Sequence, residues 1–309
     1  MKLKRIISAG KKYITQSDYR FLFWAGRGRF DRWSDEEYVK KIYQASMGTP
    51  LDLDNPQTFN EKLQWLKLYD RRPEYTMMVD KYLVRKYIAD KLGEEYLIPL
   101  LGVWDNPDDI DFDKLPNQFV LKCNHNSGLG MCICKNKSKL NIEKVKKELR
   151  KGLKQDYYLR GREWPYKDVP RKIIAEKYIT ENGNDLIDYK FFCFNGQLDS
   201  VMLCLERNTG NTKFYFFDRY WNLCRYNIRG KEAPKDFTLS KPYNIEKMFE
   251  IAEELSKGLP FARIDLYNVN GQIYFGEITL FPDSGFDSNL LLETDKYWGK
   301  LIHLEEVKR

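Results

Sequence analysis

Two alternating segments near the C-terminal end constrain the fold of this chain more than any other feature. Residues 261–265 read Phe-Ala-Arg-Ile-Asp, residues 274–279 read Tyr-Phe-Gly-Glu-Ile-Thr, and Asn270-Gly271 lies between them. Alternation of apolar and polar residues on both sides of an Asn-Gly pair predicts a β-hairpin. Its polar positions carry one arginine and two carboxylates. Carboxylate oxygens are the ligands that hard divalent cations prefer, and an arginine beside them suits a phosphate group.

The length of the turn decides whether the two carboxylates can cooperate. A two-residue turn pairs Asp265 with Gly276 and leaves Asp265 and Glu277 on opposite faces of the hairpin. A three-residue turn over residues 269–271, with its glycine left-handed, pairs Arg263 with Glu277. Asp265 then lies diagonally across from Glu277 on the same face. We therefore predict the three-residue turn and one shared metal site; the alternative is a hairpin with ordinary surface charges.

The composition is that of a soluble globular enzyme. The chain has 309 residues, of which 42% are hydrophobic and 31% are charged, and this length suits one or two domains. No apolar run approaches the roughly 20 residues that a bilayer span needs. The N-terminus lacks the pattern of a signal peptide, so we expect a cytoplasmic protein.

Six cysteines occur, mostly in apolar, strand-like segments. Cys132-Ile133-Cys134 has no second cysteine pair and no nearby histidines, which makes a zinc site an unfavourable interpretation. We expect free thiols in a reducing compartment.

The positive charge is concentrated at the N-terminus. Residues 1–30 contain eight basic residues and one acidic residue, a surplus that equals the +7 net charge of the whole chain. Isoleucine, phenylalanine, tyrosine and tryptophan are interspersed among them. This composition favours contact with an anionic lipid surface, at the inner membrane face, or with an acidic polymer. The alternative is a helix that packs on the protein with a solvated basic face. Nucleic acid is not favoured, because no recognition module accompanies the charge.

The order of secondary-structure signals predicts an α+β fold with a helical N-terminal region. Thr58 and Glu61 form a capping-box pattern that opens a helix through Tyr69, and a second helix is predicted over residues 76–92, ending at Gly93. The predicted strands are 119–123, 131–134, 172–179, 189–194, 198–205, 213–217 and 223–227, and the later predicted helices are 142–153, 243–257 and 296–307. Runs of antiparallel strands with helices beside them are typical of α+β proteins.

A glycine-containing loop, residues 124–130, joins the first two predicted strands. Glycine and small polar residues allow backbone N–H groups to turn toward an anion, and Lys122 at the preceding strand end supplies a positive charge. The pattern indicates a phosphate-binding loop, although it is not the P-loop motif, because no Gly-Lys-Ser/Thr follows.

The order of these short motifs resembles that of the ATP-grasp enzymes over about residues 80–285. The matched pieces are Asp80-Lys81, Lys122 with its loop, residues 176–179, Asp188-Tyr189-Lys190, residues 263–265 and Glu277. Residues 55–65 (Asn-Pro-Gln-Thr-Phe-Asn-Glu-Lys-Leu-Gln-Trp) and 276–282 (Gly-Glu-Ile-Thr-Leu-Phe-Pro) are similar to the TupA-like branch, which is found with teichuronopeptide and capsular polysaccharide synthesis.

The resemblance implies an ATP-grasp fold, in which two α+β lobes with antiparallel sheets clasp ATP. It implies three regions: a helical N-terminal region with the basic arm (1–94), a small lobe (95–180) and a large lobe with the metal site (181–309).

The resemblance also implies nucleotide-binding positions. Two lysines would contact the phosphates, three loop residues would close over them, four hinge residues would hold adenine, and one aspartate would bind the ribose. In that order they are Lys81 and Lys122; Ser127, Gly128 and Gly130; Glu176, Lys177, Tyr178 and Ile179; and Asp188.

The same resemblance assigns the reacting end of the site. Lys190 would face the triphosphate, Arg263 would stabilise the γ-phosphoryl group in transfer, and Asp265 and Glu277 would hold Mg²⁺. The family pattern places asparagine two residues beyond the metal-binding glutamate, where this chain has Thr279, a poorer magnesium ligand. Either Asp283 replaces it, or one ion alone binds firmly.

We therefore expect an ATP-dependent carboxylate–amine ligase that forms an amide through an acyl phosphate. Its partners would be an anionic cell-surface polysaccharide, or a lipid-linked precursor of one, and an amino acid or amine. One alternative is a kinase that phosphorylates a sugar hydroxyl. A less favoured alternative is a nucleotide-sugar glycosyltransferase that uses Asp111-Phe112-Asp113 as its metal-binding motif.

Overall fold

The computed structural model describes residues 12–180, 186–206 and 210–307. They form two compact units. The first unit combines the residues up to 71 with residues 158–164 and those from 281 onward, and the second contains residues 72–157 and 165–280. The region boundaries predicted after residues 94 and 180 stay a prediction.

Helices come first along the described residues, and runs of strands with a few helices between them follow, which fits the α+β class. The helices are α1 (Ser17–Ala25), α2 (Asp35–Met47), α3 (Phe59–Tyr69), α4 (Glu74–Val79), α5 (Val84–Leu92), α6 (Ile142–Leu153), α7 (Tyr158–Gly161), α8 (Ile228–Glu232), α9 (Ile245–Ser256) and α10 (Leu292–Leu301). The strands are β1 (Leu100–Trp104), β2 (Phe119–Cys123), β3 (Met131–Cys134), β4 (Ile173–Lys177), β5 (Asp188–Phe194), β6 (Gln197–Leu205), β7 (Lys213–Phe217), β8 (Leu223–Cys224), β9 (Phe261–Val269) and β10 (Gln272–Thr279).

Two antiparallel sheets form the framework of the second unit. The first has the strand order β1-β4-β2-β3, and the second has the order β10-β9-β5-β6-β7-β8. Helix α6 covers the first sheet with Val145 and Leu149, which lie in one core with Phe119 and Leu121. Neighbouring strands in both sheets run antiparallel. The predicted α+β class and its antiparallel sheets are therefore confirmed.

Two helices of the first unit, α2 and α3, begin at side-chain caps. The capping box predicted at Thr58 is confirmed, because its hydroxyl accepts from the Glu61 backbone N–H and Glu61 accepts from the Thr58 N–H. Helix α2 begins at a second capping box, formed by Ser34 and Glu37, and ends at Gly48 in the left-handed conformation, with φ of 79°. Such caps satisfy N–H groups that have no partner inside the helix.

The helix predicted over residues 76–92 is wrong as one element. It is two helices, α4 and α5, separated at Asp80, whose backbone is extended at φ −75° and ψ 111°. The Asp80 carboxylate accepts from the backbone N–H groups of Tyr82 and Leu83 and from the side-chain amide of Asn124. These bonds offer an alternative to the helical pattern, and they end α4 one residue before Lys81.

The remaining element predictions differ from the structure mainly at their ends. Strands β2, β3 and β7 and helix α6 have the predicted bounds, whereas the predicted strand 223–227 stops at Cys224. The predicted helix 296–307 consists of the end of α10 and a separate 3-10 turn, Leu304–Glu306. Strand β1 was not predicted; it pairs with β4, more than 60 residues further along the chain.

The C-terminal hairpin is confirmed, but its turn is not the predicted one. Val269 pairs with Gln272, so the turn has two residues, Asn270 and Gly271, with φ of 51° and 87°. Two left-handed residues match the twist of the flanking strands, which is the reason that Asn-Gly is favoured in two-residue turns. The predicted three-residue turn is therefore wrong.

A β-bulge at Gly276, and not a longer turn, brings the two carboxylates to one face of the hairpin. The register shifts between Phe275 and Glu277, so that Glu277 pairs with Asp265 and Thr279 pairs with Arg263. Asp265 and Glu277 consequently lie on the same face of the hairpin. A side chain at position 276 would place its Cβ 3.0 Å from the Asp265 carbonyl oxygen, a close approach that favours glycine here.

Two further sequence expectations can be compared with the structure. The six cysteines are free thiols, as expected. None of the helices among the described residues has the combination of length and apolar character that crossing a membrane requires.

Candidate functional site

A cleft of about 940 Å³ lies in the second unit and is lined by residues from both of its sheets. One part of its wall is apolar and includes Ile98, Val120, Met131 and Ile133. Met131 and Ile133, two residues apart on β3, are 50% and 52% exposed. Large apolar side chains that remain open to a concave surface are typical of a site for a flat, weakly polar group.

Most of the predicted nucleotide-binding and metal-binding residues line this cleft. They are Lys81, Lys122, Ser127, Gly128, Glu176, Lys177, Tyr178, Ile179, Asp188, Lys190, Asp265 and Glu277. Within the described residues, Gly130, Arg263 and Thr279 are not part of the lining. Asp283 is an exposed residue of the first unit, and its predicted metal role stays a prediction.

Charged side chains from three neighbouring strands converge at one end of the cleft. Arg263 donates from Nε to Asp265 Oδ1 at 2.7 Å and from Nη2 to Asp265 Oδ2 at 2.8 Å. The same Nη2 lies 3.2 Å from Glu277 Oε1. Lys190 forms ion pairs with Asp265 and, at 2.9 Å, with Asp188. The strand register produces this cluster, because Asp265 is paired with Lys190 on one side and with Glu277 on the other.

The two hairpin carboxylates differ in their proton affinity. Burial raises the pKa of Asp265 to about 6, against the opposing effects of Arg263 and Lys190. Burial would also raise the pKa of Glu277, but Lys81, Arg263 and Lys190 together lower that pKa to about 2. Glu277 is therefore ionised at neutral pH, and Asp265 loses its proton only as the pH rises through about 6.

The interruption between helices α4 and α5 at Asp80 places Lys81 in the lining of the cleft. The Lys81 backbone N–H donates to the Asn124 carbonyl at 3.2 Å, and Nζ donates to the Asn126 carbonyl at 2.7 Å. Asn124 in turn donates to Asp80 and to the Pro170 carbonyl. Burial lowers the pKa of Lys81, and the nearby Glu277 carboxylate opposes that effect. The role of Asn124 and Asn126 in holding Lys81 was not predicted.

Glu176 on β4 is held between two cations. Lys122 Nζ lies 2.6 Å from Glu176 Oε2, and Arg85 Nη1 lies 3.2 Å from Glu176 Oε1. Arg85 also donates to the Ile98 carbonyl at 2.8 Å. The Arg85 side chain is only 15% exposed. A basic residue in the first turn of a helix, five residues after Asp80, gives no local signal of this contact.

The loop over residues 124–130 combines a cleft-facing tip with a tightly packed base. Gly128 has φ of 81° and open space around its Cβ position. Gly130, at φ of 70°, packs against Gly152 and Cys123, and a Cβ there would lie 2.8 Å from the Gly152 Cα. His125 contacts the Gln155 carbonyl through Nε2, and burial lowers its pKa to about 4. The histidine is thus neutral at physiological pH, which fits a structural hydrogen bond.

The carboxylates of the cluster fit a magnesium ion that arrives with a phosphate ligand. Among residues 12–180, 186–206 and 210–307, no group of three or more His, Cys, Asp or Glu side chains is arranged to hold a metal ion by itself. Mg²⁺ in phosphoryl-transfer sites is characteristically held by one or two carboxylates together with substrate phosphates and water. Asp265 and Glu277, paired across the hairpin, supply that donor set. The Thr279 hydroxyl accepts a hydrogen bond from Arg263 Nη2 at 3.0 Å, and this contact helps to hold the arginine in place.

The Asp-x-Asp motif of the alternative glycosyltransferase interpretation lies elsewhere in the second unit. Asp111 and Asp113 are exposed and do not belong to the lining of the cleft. Asp111 accepts from the Asp113 backbone N–H at 3.1 Å and pairs with Lys114 at 3.2 Å. These local contacts are those of a solvent-exposed turn, and they account for the two aspartates of the motif.

The paired antiparallel sheets and the charged cleft define an ATP-grasp protein. The model of the family described as TupA-like ATPgrasp matches residues 61–303, and the chain belongs to this family. The predicted family and fold are confirmed.

Several solved structures are similar to this chain in fold. The D-alanine–D-alanine ligase from Bacillus anthracis, complexed with ATP, is 16% identical with a TM-score of 0.45, and the match covers 72% of this chain and 61% of that one. The corresponding enzyme from Helicobacter pylori is 16% identical with a TM-score of 0.44, covering 77% and 68%. An ATP-grasp RimK domain protein from Sphaerobacter thermophilus is 8% identical with a TM-score of 0.43, covering 76% and 70%. The comparison with curated proteins finds no match.

Proposed function

We propose that this protein is an ATP-dependent carboxylate–amine ligase that attaches an amino acid or amine to a cell-surface polysaccharide or its precursor. One observation carries the proposal: three lysines and an ionised carboxylate converge in a cleft that also offers an apolar wall. The lysines are Lys81, Lys122 and Lys190, and the carboxylate is Glu277. The two parts of this site match the two parts of ATP: the apolar wall suits the base, and the lysines suit the highly charged triphosphate.

The nucleotide would lie with its base between Ile98, Val120, Met131 and Ile133 and its phosphates toward the lysines. Lys81 and Lys122 project from different elements and are held by the Asn126 carbonyl and by Glu176. When a triphosphate binds, the ammonium groups of both lysines would contact it in place of these partners, since phosphate oxygens are stronger acceptors for an ammonium group than a carbonyl is. The Asp188 carboxylate would accept hydrogen bonds from the ribose hydroxyls.

The reaction would proceed in two displacements. A substrate carboxylate oxygen attacks the γ-phosphorus of ATP, and the bond between this phosphorus and the oxygen that bridges to the β-phosphate breaks. ADP departs, and the substrate becomes an acyl phosphate. The nitrogen of an amine then attacks the acyl carbon, inorganic phosphate leaves, and the amine loses a proton to solvent. Activation is required because a carboxylate anion resists nucleophilic attack. No covalent bond to the protein is needed.

The residues of the cluster would act by charge and position. Arg263 is fixed by its two bonds to Asp265 and would stabilise the charge on the phosphoryl group in transfer. Lys190, buried beside Asp265 and Asp188, would contact the same oxygens. Asp265 and Glu277 would hold Mg²⁺, which would supply positive charge against the triphosphate.

The polysaccharide as acceptor rests on the resemblance to the TupA-like branch, which implies teichuronopeptide or capsular polysaccharide synthesis, and the match to the TupA-like family model supports that resemblance. The carboxylate that is activated would be that of a uronic acid or of an amino acid. Both present the same reacting group, so the cleft chemistry suits either one.

Two measurements test the proposal. In the first, thermal stabilisation by Mg²⁺ with a non-hydrolysable ATP analogue is compared with that by UDP-sugars, in the wild type and in Lys122→Ala. Stabilisation by the ATP analogue that is lost in K122A is expected, while D111A/D113A, the matched control, retains it. Stabilisation by UDP-sugars alone would contradict the ligase assignment.

In the second measurement, the protein is incubated with ATP, Mg²⁺, a uronate-containing oligosaccharide and hydroxylamine. Hydroxylamine captures an acyl phosphate as a hydroxamate, so hydroxamate should form together with ADP in a ratio near one. ADP formation with a phosphorylated sugar and no hydroxamate would instead identify a kinase.

A further inference from the structure

The N-terminal part of the first unit carries a surface on which aromatic and basic side chains alternate. We call it the N-terminal patch and define it by Tyr13, Ile14, Phe23, Trp24, Arg27 and Arg29. Ile14 is 77% exposed, and the three aromatic residues are half-buried. The patch is separate from the cleft residues, which all belong to the second unit.

Helix α1 is anchored by its opposite side. Phe21 is buried and shares a core with Tyr38 and Ile42 of α2, and its ring stacks on that of Phe30 at 4.7 Å. By helix periodicity Phe23 lies on the side away from this core, whereas Trp24, three residues after Phe21, lies on the flank of the helix. The patch is therefore a fixed surface of the first unit.

Several polar groups in and beside the patch are bonded to one another. Trp24 Nε1 donates to the Tyr13 hydroxyl at 2.9 Å, and Arg20 donates to the carbonyls of Tyr13 and Ile14 at 3.0 and 2.7 Å. The Phe23 ring lies edge-on to both Tyr13 and Trp24, at 5.2 and 5.3 Å. What the patch offers to a partner is thus ring faces, one exposed isoleucine and positive charge.

The positive charge lies directly over these rings. The Arg27 guanidinium is 3.5 Å from the centre of the Phe23 ring, and that of Arg29 is 5.2 Å from the Trp24 ring. Two acidic residues lie nearby: Asp18 is paired with Lys41 at 3.2 Å, and the Asp31 carboxylate lies beside Gly28. Basic residues outnumber them five to two over residues 12–32, so the region keeps a positive surplus. The sequence that precedes the patch adds Lys2, Lys4, Arg5 and Lys11.

We propose that the N-terminal patch binds an anionic lipid surface and holds the enzyme at a membrane. Tyrosine, tryptophan and arginine together are the side chains that favour the boundary between head groups and acyl chains. The exposed Ile14 suits insertion below that boundary. An anionic polysaccharide would draw mainly on the hydrogen-bonding groups of the two arginines and would leave the exposed Ile14 without an apolar partner. A lipid surface needs only apolar contact and positive charge, and the patch supplies both.

The experiment measures co-sedimentation of the full-length protein with vesicles of phosphatidylcholine containing 30% phosphatidylglycerol and with vesicles of phosphatidylcholine alone. The wild type should bind the anionic vesicles and lose binding at 0.5 M salt. Arg27→Glu combined with Arg29→Glu should weaken the affinity at least about 20-fold, since each basic side chain near such a surface contributes about fivefold. Ile14→Ser should weaken it severalfold without changing its salt dependence.

Lys144→Glu combined with Lys147→Glu is the matched control, because it makes the same charge change on α6, a basic helix on which both lysines are exposed. This control should keep vesicle affinity within about twofold of the wild type. Equal losses in the control and in R27E/R29E would overturn the proposal, as would binding to soluble polygalacturonate at least as tight as to the anionic vesicles. Stabilisation by the ATP analogue is measured in parallel and should be the same in all these variants, so failure of membrane binding is distinguishable from failure of the ligase assignment.

Discussion

Asp265 and Glu277 are paired across the C-terminal hairpin because Gly276 adds one unpaired residue to β10. Without this bulge the two-residue Asn270-Gly271 turn would place the carboxylates on opposite faces. A single backbone irregularity thus creates the acidic half of the candidate site, and Arg263 and Lys190 complete it from the neighbouring positions.

Replacing Gly276 with alanine should uncouple the two carboxylates. The new Cβ would lie 3.0 Å from the Asp265 carbonyl oxygen and 3.2 Å from the Tyr267 ring, so the bulge must shift or be lost. We expect ATP-dependent turnover to fall at least about tenfold, comparable to the loss of one electrostatic contact. Gly271→Ala is the matched control: its φ of 87° makes alanine strained, but there is open space around it. It should lower the free energy of unfolding by about 1 kcal/mol and leave turnover unchanged. Equal turnover in G276A and wild type would show that the bulge is dispensable.

The affinity for MgATP should depend on the ionisation of Asp265. Because the pKa of this carboxyl is raised to about 6, it is protonated and neutral below that pH and is then a poor cation ligand. Affinity measured by calorimetry should therefore rise as the pH increases from 5 to 7. In Asp265→Asn it should be weak throughout, without this rise. Asp287, whose pKa burial also raises to about 6, lies in the first unit; Asp287→Asn should keep the rise, and its disappearance there would contradict the assignment to Asp265.

Arg85 should support nucleotide binding through Glu176. If a triphosphate draws Lys122 away from Glu176, Arg85 keeps the buried carboxylate paired, whereas Arg85→Met leaves it without this cation. An unpaired buried charge is costly, so the affinity for the ATP analogue should fall about 10- to 100-fold. The affinity for adenosine, which does not compete for Lys122, should change much less. Lys86→Met is the neighbouring control, since Lys86 is 83% exposed. A loss of equal size for adenosine would indicate a general structural defect in R85M.

Lys67 should make the stability of the protein depend on pH above neutrality. It is fully buried on α3, donates to the carbonyls of Gly161 and Ser284 at 2.7 and 2.8 Å, and has a pKa that burial lowers to about 7. Between pH 7 and the ordinary value of 10.5, the unfolded chain binds a proton that the folded protein does not. Stability from this group therefore rises with pH across that window.

Lys67→Met should remove this rise in melting temperature between pH 7 and 9.5. It should also lower stability at pH 9, because two buried carbonyls lose their donor. Lys300→Met, on an exposed position of α10, should retain the wild-type pH dependence. A wild-type melting temperature that is flat over this interval would refute the prediction.

The sequence by itself determined the features that depend on neighbours in the chain. Alternation around Asn270-Gly271 is enough for a hairpin, because turn propensity and side-chain alternation act over a few residues. The capping box at Thr58 and the bounds of β2, β3 and α6 follow from equally local patterns. The short motifs in their order were sufficient for the family, although Asp80-Lys81 lies in a break between two helices and not on the single helix predicted there.

Only the tertiary structure decided where those elements shift, break and meet. The bulge at Gly276 depends on the pairing of β10 with β9, and no residue in the turn reports it. The helix break at Asp80 depends on Asn124, 44 residues away in the chain, and Arg85 reaches Glu176 across 91 residues. Strand β1 exists through its pairing with β4. Hydrogen bonds and ion pairs between distant residues set register and side-chain partners, and local propensity carries no information about partners so far along the chain.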